Sequence, residues 1–151
     1  MAATSKPALS GFARALIQHG HLKEADAIAC TTHAGEAATA FILEVANRGL
    51  MSCAAMARFA AETFGYPLLD LAAFDAAMFA REAVDRKLLA KHQVAPLAKR
   101  QSRITLATAD PSNLRALDEI RFQTGLQIEL VIVEADKLKR AVEALSESAA
   151  D

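Results

Sequence analysis

The chain has little of what small domains use when they cannot build a core. Among 151 residues there are two cysteines, four prolines, six glycines and no tryptophan. Cys30 and Cys53 stand alone, with no Cys-x-x-Cys spacing, so neither a disulfide framework nor a zinc knuckle is expected. They read as isolated thiols. No apolar run approaches the ~20 residues that a bilayer-spanning helix needs. Residues 1 to 7 carry one lysine and no apolar stretch, so no signal peptide is expected. The expected setting is the cytoplasm. The formal net charge of -1 offers no concentrated basic surface for a phosphate backbone, so no nucleic-acid partner is expected. The glycines are scattered over Gly11, Gly20, Gly35, Gly49, Gly65 and Gly125. None lies in a GxxxxGK[ST] run, whose amides and lysine cradle nucleotide phosphates. Nor does a serine or cysteine sit in a nucleophile elbow. The chain is therefore expected not to be an enzyme in its own right.

What is present is apolar and rich in alanine. Hydrophobic residues make up 53% of the chain and aromatics only 5%, so the core must come from small and aliphatic side chains. Alanine favours helix and lets helices approach closely. Phe12, Leu16 and Ile17 fall at helical spacing in a helix over Leu9 to His19, ended by Gly20. A second helix starts over Leu22 to Cys30. Phe41, Ile42 and Val45 mark a third, stopped at Arg48-Gly49. Ser52 is placed to cap a fourth, with Met56, Phe59 and Ala60 facing inward and Gly65 and Pro67 ending it.

After Gly65 the pattern changes. Leu68 to Leu71 reads as a short strand, and Asp75 as the cap of a helical stretch through Lys91. Val94 to Leu97 and Ile104 to Ala107 read as strands joined by the polar run Lys99 to Arg103, a hairpin tip. Asp110-Pro111 reads as a helix start, with Leu114, Leu117 and Ile120 lining the helix and Gly125 ending it. Ile128 to Val133 is a β-branched strand, and Leu138, Val142 and Leu145 stripe a last helix. The expected fold is α+β: an all-helical layer over residues 8 to 65, then a small α/β unit with a short mixed sheet over 66 to 147. Residues 1 to 7 are expected to be a disordered lead-in and 148 to 151 the start of a linker.

A faint repeat underlies the helical half. Residues Ala15 to Leu22 can be laid over Glu44 to Met51, with Gly20 and Gly49 in register 29 residues apart. Farther on come recognisable phrases. Phe64-Gly65-Tyr66-Pro67-Leu68-Leu69-Asp70-Leu71 is similar to the joint between the halves of the N-terminal domain in secretion and pilus ATPases. Leu88 to Leu97 resembles that family's helix, histidine and VxPL strand. Ile104 to Asn113 resembles its VGISDPxN, and Ala116 to Leu126 its AIDDIxFxTGL. Among the family's branches the type IV pilus extension ATPase, PilB-like, fits best. The resemblance implies a non-catalytic regulatory or docking domain ahead of a hexameric motor, at the inner-membrane face of a bacterial pilus machine. Any hexamer is expected only through that motor, absent from this chain.

Candidate sites follow from the same reading. Some relatives in the wider family bind cyclic di-GMP through two copies of RLGxxLVxxG. At those positions this chain has Gly11-Phe12-Ala13 and Ala40-Phe41-Ile42, so both arginines are missing and direct binding is not expected. Cys30, His33, His19 and His21 show no regular ligand spacing, so no metal and no cofactor is expected. Asp110 reads as a cap, Asp118-Glu119 as a solvated face, and Lys99, Arg100 and Arg103 as a solvated hairpin tip. The leading expectation is a protein interface on the helical layer, at Phe12, Leu16 and Ile17 with Phe41 and Val45 behind them. The resemblance points to a PilZ-type adaptor as partner, with the inner-membrane pilus platform a further candidate. The alternative is a cyclic di-GMP receptor acting directly on the motor.

Overall fold

A computed structural model describes residues 8–35, 37, 39–75 and 78–148, with side chains to 145. The lead-in 1–7 and residues 149–151 lie outside the described residues. Four helices come first: α1 (Gly11–Gln18), α2 (Glu24–Ala34), α3 (Ala40–Asn47) and α4 (Cys53–Phe64). A 3-10 turn (Leu71–Ala73) and α5 (Arg86–His92) lead into β1 (Ala95–Arg100) and β2 (Arg103–Thr108). Then come α6 (Leu114–Thr124), β3 (Gln127–Ile132) and α7 (Ala135–Ser148). The class is α+β, as the sequence implies.

The sheet has the order β1-β2-β3. β1 and β2 are antiparallel, joined by a tight turn at which Gln101 takes φ 52°. β2 and β3 are parallel, with Ile104 opposite Ile128 and Leu106 opposite Leu130. Parallel strands need a crossover, and α6 supplies it. The edge strand β1 carries a register shift between Pro96 and Ala98 and two cations at its tip, devices that keep an edge from pairing with other chains.

One hydrophobic core runs through both halves. Phe12, Leu16, Val45 and Met56 of the helical layer belong to the same cluster as Leu89, Leu106, Ile120 and Leu138. The seam is α7, which packs against α3, α4, α5, β1 and β2 through the expected stripe of Leu138, Val142 and Leu145. The division at Gly65 is therefore a change of architecture across a continuous core.

Three local expectations are corrected. Leu68 to Leu71 is no strand: Leu68 makes one parallel bridge to Ile132. The Pro67 carbonyl accepts from Ile132 N–H and Leu69 N–H donates back to Ile132, both at 2.8 Å. Pro67 itself has no N–H to extend the ladder, and the Asp70 carboxylate turns the chain by accepting from Ala72 N–H at 3.0 Å. The helix expected from Asp75 begins only at Arg86. Ala80 N–H is drawn to the Pro96 carbonyl on the edge of β1 (2.8 Å), and Asp85 takes over the cap by accepting from Lys87 N–H. Finally, Asp110 does not cap α6. Asn113 does, accepting from Ala116 N–H at 3.3 Å, while Asp110 closes a turn onto Ser112. Leu114, expected on the buried stripe, is 66% exposed as a consequence.

Candidate regulatory cleft

The faint repeat is a structural one. In α1, His19 N–H donates to the Ala15 carbonyl, Gly20 N–H to Ile17 and His21 N–H to Leu16. In α3, Arg48 N–H donates to Glu44, Gly49 N–H to Ala46 and Leu50 N–H to Val45. The six bonds pair one for one at an offset of 29 residues (49 minus 20), and each helix closes in the pattern of a Schellman cap. Gly20 and Gly49 both take positive φ, 77° and 71°, which only glycine adopts cheaply. Each copy then runs into a longer helix, α2 after the first and α4 after the second. The signature that can be laid on a dinucleotide motif is thus built twice in the backbone.

The opening positions of the two copies, Gly11 and Ala40, are the first residues of α1 and α3. The N-terminal turns of α1, α3 and α6 border one open cleft of about 570 Å³, lined by Gly11, Thr39, Phe41, Ser112, Asn113 and Arg115 among others. Helix N-termini present free amides and favour anions. Here part of that capacity is spent internally. Ser10 accepts from Ala13 N–H, and Ser112 Oγ accepts from Phe12 N–H, both at 3.0 Å. Ser112 in turn donates from its hydroxyl to Asp110 Oδ1 at 2.5 Å and from its N–H at 2.9 Å. Loss of water around Asp110 pushes its carboxyl above the usual range, against the lowering effect of those two bonds. Asp110, Ser112 and the start of α1 thus form a relay that ties the helical layer to the β2–α6 loop.

That relay explains Gly11. A Cβ placed there would lie 3.0 Å from Ser112 Cβ, so the close approach of α1 to the loop leaves no easy room for the arginine of the motif. Sequence reading missed Ser112 because the Asp-Pro-Ser-Asn phrase was explained in full as a helix start. A second polar group lies nearby. His92, nearly buried, stands 2.7 Å from Glu119 Oε1, with Lys91 Nζ at 3.2 Å. The His92 bond first, then Lys91, holds the Glu119 carboxyl below its usual range. Glu119 is therefore engaged rather than merely solvated.

The expected interface residues separate into two groups. Phe12, Leu16 and Val45 are each 0% exposed. Elements later in the chain cover this face of α1: Phe12 sits edge-on to Phe59 (centroids 6.0 Å) and stacks on Phe64 (6.4 Å). Ile17 and Phe41 pack against the core and stay partly exposed. Of the basic hairpin, Arg103 pairs with Glu129 at 3.1 Å in an exposed bridge of small energetic weight. Among the described residues, no group of three or more His, Cys, Asp or Glu is placed to hold a metal ion, and no helix is long and apolar enough to cross a membrane.

A helical repeat pair set on a small mixed sheet, with a cleft at helix N-termini, places the chain with the N-terminal domains of pilus ATPases. The chain belongs to the MshEN domain family, whose model matches residues 64–151. It is 36% identical over 143 residues to the type IV pilus assembly ATPase PilB of Pseudomonas aeruginosa, covering 95% of this chain and 25% of that protein. It is 34% identical over 137 residues to PilB of Acinetobacter baylyi, covering 91% of this chain and 24% of that protein. The chain thus spans about a quarter of the length of these curated relatives; it is the MshEN domain and not the catalytic ATPase domain. Among solved structures, the N-terminal domain of XpsE shares the fold with a TM-score of 0.67 at 24% identity, over 87% of this chain and 91% of that one. MshE, solved with cdg, does so with a TM-score of 0.62 at 18% identity, over 89% and 97%.

Proposed function

We propose that the chain is the regulatory input domain of a type IV pilus assembly ATPase, and that its input is a cyclic dinucleotide received by the paired helical repeats. The observation that carries this is the doubled, bond-for-bond helix closure at Gly20 and Gly49, on a fold shared with a protein solved with cdg, read here as cyclic di-GMP. The hexameric motor, the seat at the inner-membrane face and a contact with the pilus platform belong to the same proposal. Gly11 and Ala40 replace the motif's arginines, and charge-assisted hydrogen bonds contribute about 1.5–3 kcal/mol each. Binding is therefore expected to be weaker than a Kd of about 1 μM, equivalent to roughly -8 kcal/mol. Isothermal titration of the full chain with cyclic di-GMP tests it. Saturable heat with a Kd between about 1 μM and 1 mM, roughly -8 to -4 kcal/mol, supports direct reception. No saturable heat at millimolar dinucleotide overturns it.

A second reading has its own observation. With Gly11 pressed onto Ser112, the first copy has little room for a dinucleotide arginine, which favours a PilZ-type adaptor carrying the signal instead. Of the five residues expected at such an interface, only Ile17 and Phe41 keep exposed surface. Pull-down of a PilZ-type adaptor by the chain, weakened in Ile17→Asp and Phe41→Asp variants whose circular dichroism shows the parent's fold, would support it. Capture unaffected by both changes would move the interface elsewhere.

A further inference from the structure

A groove of about 230 Å³ lies between the 3-10 turn, the loop after it and α7. Leu71, Phe79 and Leu145 form its buried floor. One wall is the Phe74–Phe79 ring pair, with centroids 5.2 Å apart. The opposite wall is α7. The helix turns Leu138, Val142 and Leu145 inward, and the neighbouring stripe toward the groove is Lys137, Arg140, Ala141 and Ala144. Two alanines three residues apart leave the slot open where a larger side chain would fill it. Three cations stand at the rim, Arg81 from the loop and Lys137 and Arg140 from α7. Lys137 is held by Glu134 at 3.1 Å and Asp70 at 3.4 Å. Arg140 is exposed and makes no hydrogen bond or ion pair among the described residues.

We propose that this groove is a docking slot for an acidic segment of a protein partner, which inserts a leucine or phenylalanine against the Phe74–Phe79 ring pair and sets a carboxylate on Arg140. The volume suits one large apolar side chain or two small ones. With Lys137 already paired to two carboxylates, Arg140 is the α7 rim cation that a partner's carboxylate can take, beside an apolar floor. A planar guanidinium in position to fork a carboxylate supplies orientation as well as attraction. The slot is separate from the cleft at Gly11 and stands independently of the dinucleotide reading.

The test uses the full chain and a fluorescein-labelled helical peptide that carries leucine and phenylalanine one turn apart among glutamates, read by fluorescence anisotropy. Saturable binding is expected, falling at least tenfold with Arg140→Glu. Ala144→Phe, at an exposed position, plugs the slot from outside and should abolish binding without lowering the melting temperature. The same peptide with lysine for glutamate should not bind. Equal binding of the two peptides, full binding by Ala144→Phe, or no binding of the acidic peptide at all would each overturn the proposal. Binding of octanoate without the peptide would overturn it too, and make the slot a small-amphiphile site.

Discussion

The two helical copies share a backbone and differ at their ends. α1 and α3 are eight residues each and close with the same three hydrogen bonds onto a glycine. Their openings diverge. α1 is capped by Ser10, which accepts from Ala13 N–H, and its Phe12 N–H donates to Ser112 Oγ. α3 opens on Thr39, at φ 61° and with no side-chain cap bond. Their matched aromatics diverge too: Phe12 is 0% exposed, and Phe41 is only partly buried. Helix closure is a local property, set by a glycine that can take positive φ and by apolar spacing, so it repeats. Helix opening depends on what docks there: the Phe12 N–H of α1 is bonded to Ser112 of the β2–α6 loop, while Thr39 borders that loop without a side-chain cap bond. The first copy has been absorbed into the core, while the second has kept a face toward the cleft.

The strongest way to break this comparison is to truncate the matched aromatics. Phe12→Ala removes a ring enclosed by Phe59 and Phe64 and should cost about 3–5 kcal/mol of stability, read by urea unfolding. Phe41→Ala should cost less than half of that, about 2 kcal/mol or under. Equal losses would mean that the second copy is as deeply packed as the first.

Next in size is the tie at the start of α1. Ser112→Ala leaves Phe12 N–H without its acceptor and Asp110 without its hydroxyl partner, at a cost of about 1–3 kcal/mol. Because α3 has no such tie, amide exchange should quicken at residues 12 and 13 and stay unchanged at the start of α3. Uniform quickening would make the relay a general stabiliser rather than a tie to α1. Smaller again are Gly20→Ala and Gly49→Ala, each expected to cost about 1–2 kcal/mol through positive φ alone, since no atom lies within 4 Å of the added Cβ. The two values should match, because the two closures do.

These elements also show why some of the molecule was legible in advance. The helix ends at Gly20, Gly49, Gly65 and Gly125 were readable because each is decided within a few residues. So were the stripe of Leu138, Val142 and Leu145 and the Ser52 cap, which accepts from Ala55 N–H. The repeat was visible for the same reason. What escaped depends on partners distant in sequence. The Asp75 helix yields to the edge of β1 through Ala80, and Leu68 pairs only once because β3 meets a proline. Ser112 gains its role from an amide 100 residues away. The interface expectation failed at Phe12 for that reason as well: an apolar face at the front of a chain appears uncovered until the later elements fold over it.

The subtlest prediction concerns Asp110, at the far end of the relay that holds the opening of the first copy. Two effects oppose each other there. Removal from water favours the protonated carboxyl, and the Ser112 bonds favour the carboxylate; the first is the larger, so the folded form holds its proton above the usual carboxylate range. A raised pKa in the fold means that this group's contribution to stability is fully present below the unfolded value of about 3.9 and is lost as pH rises through the folded value. Asp110→Asn keeps an oxygen to accept from Ser112 N–H and Oγ–H but cannot ionise. Urea unfolding at a series of pH values from about 4 to 7 should therefore show the Asn variant gaining on the parent as pH rises. In a Ser112→Ala background, which removes a bond that favours the carboxylate, the gain should grow. A variant that gains as pH falls would mean that the Ser112 bonds outweigh burial, and that the tie on α1 is held by a charge.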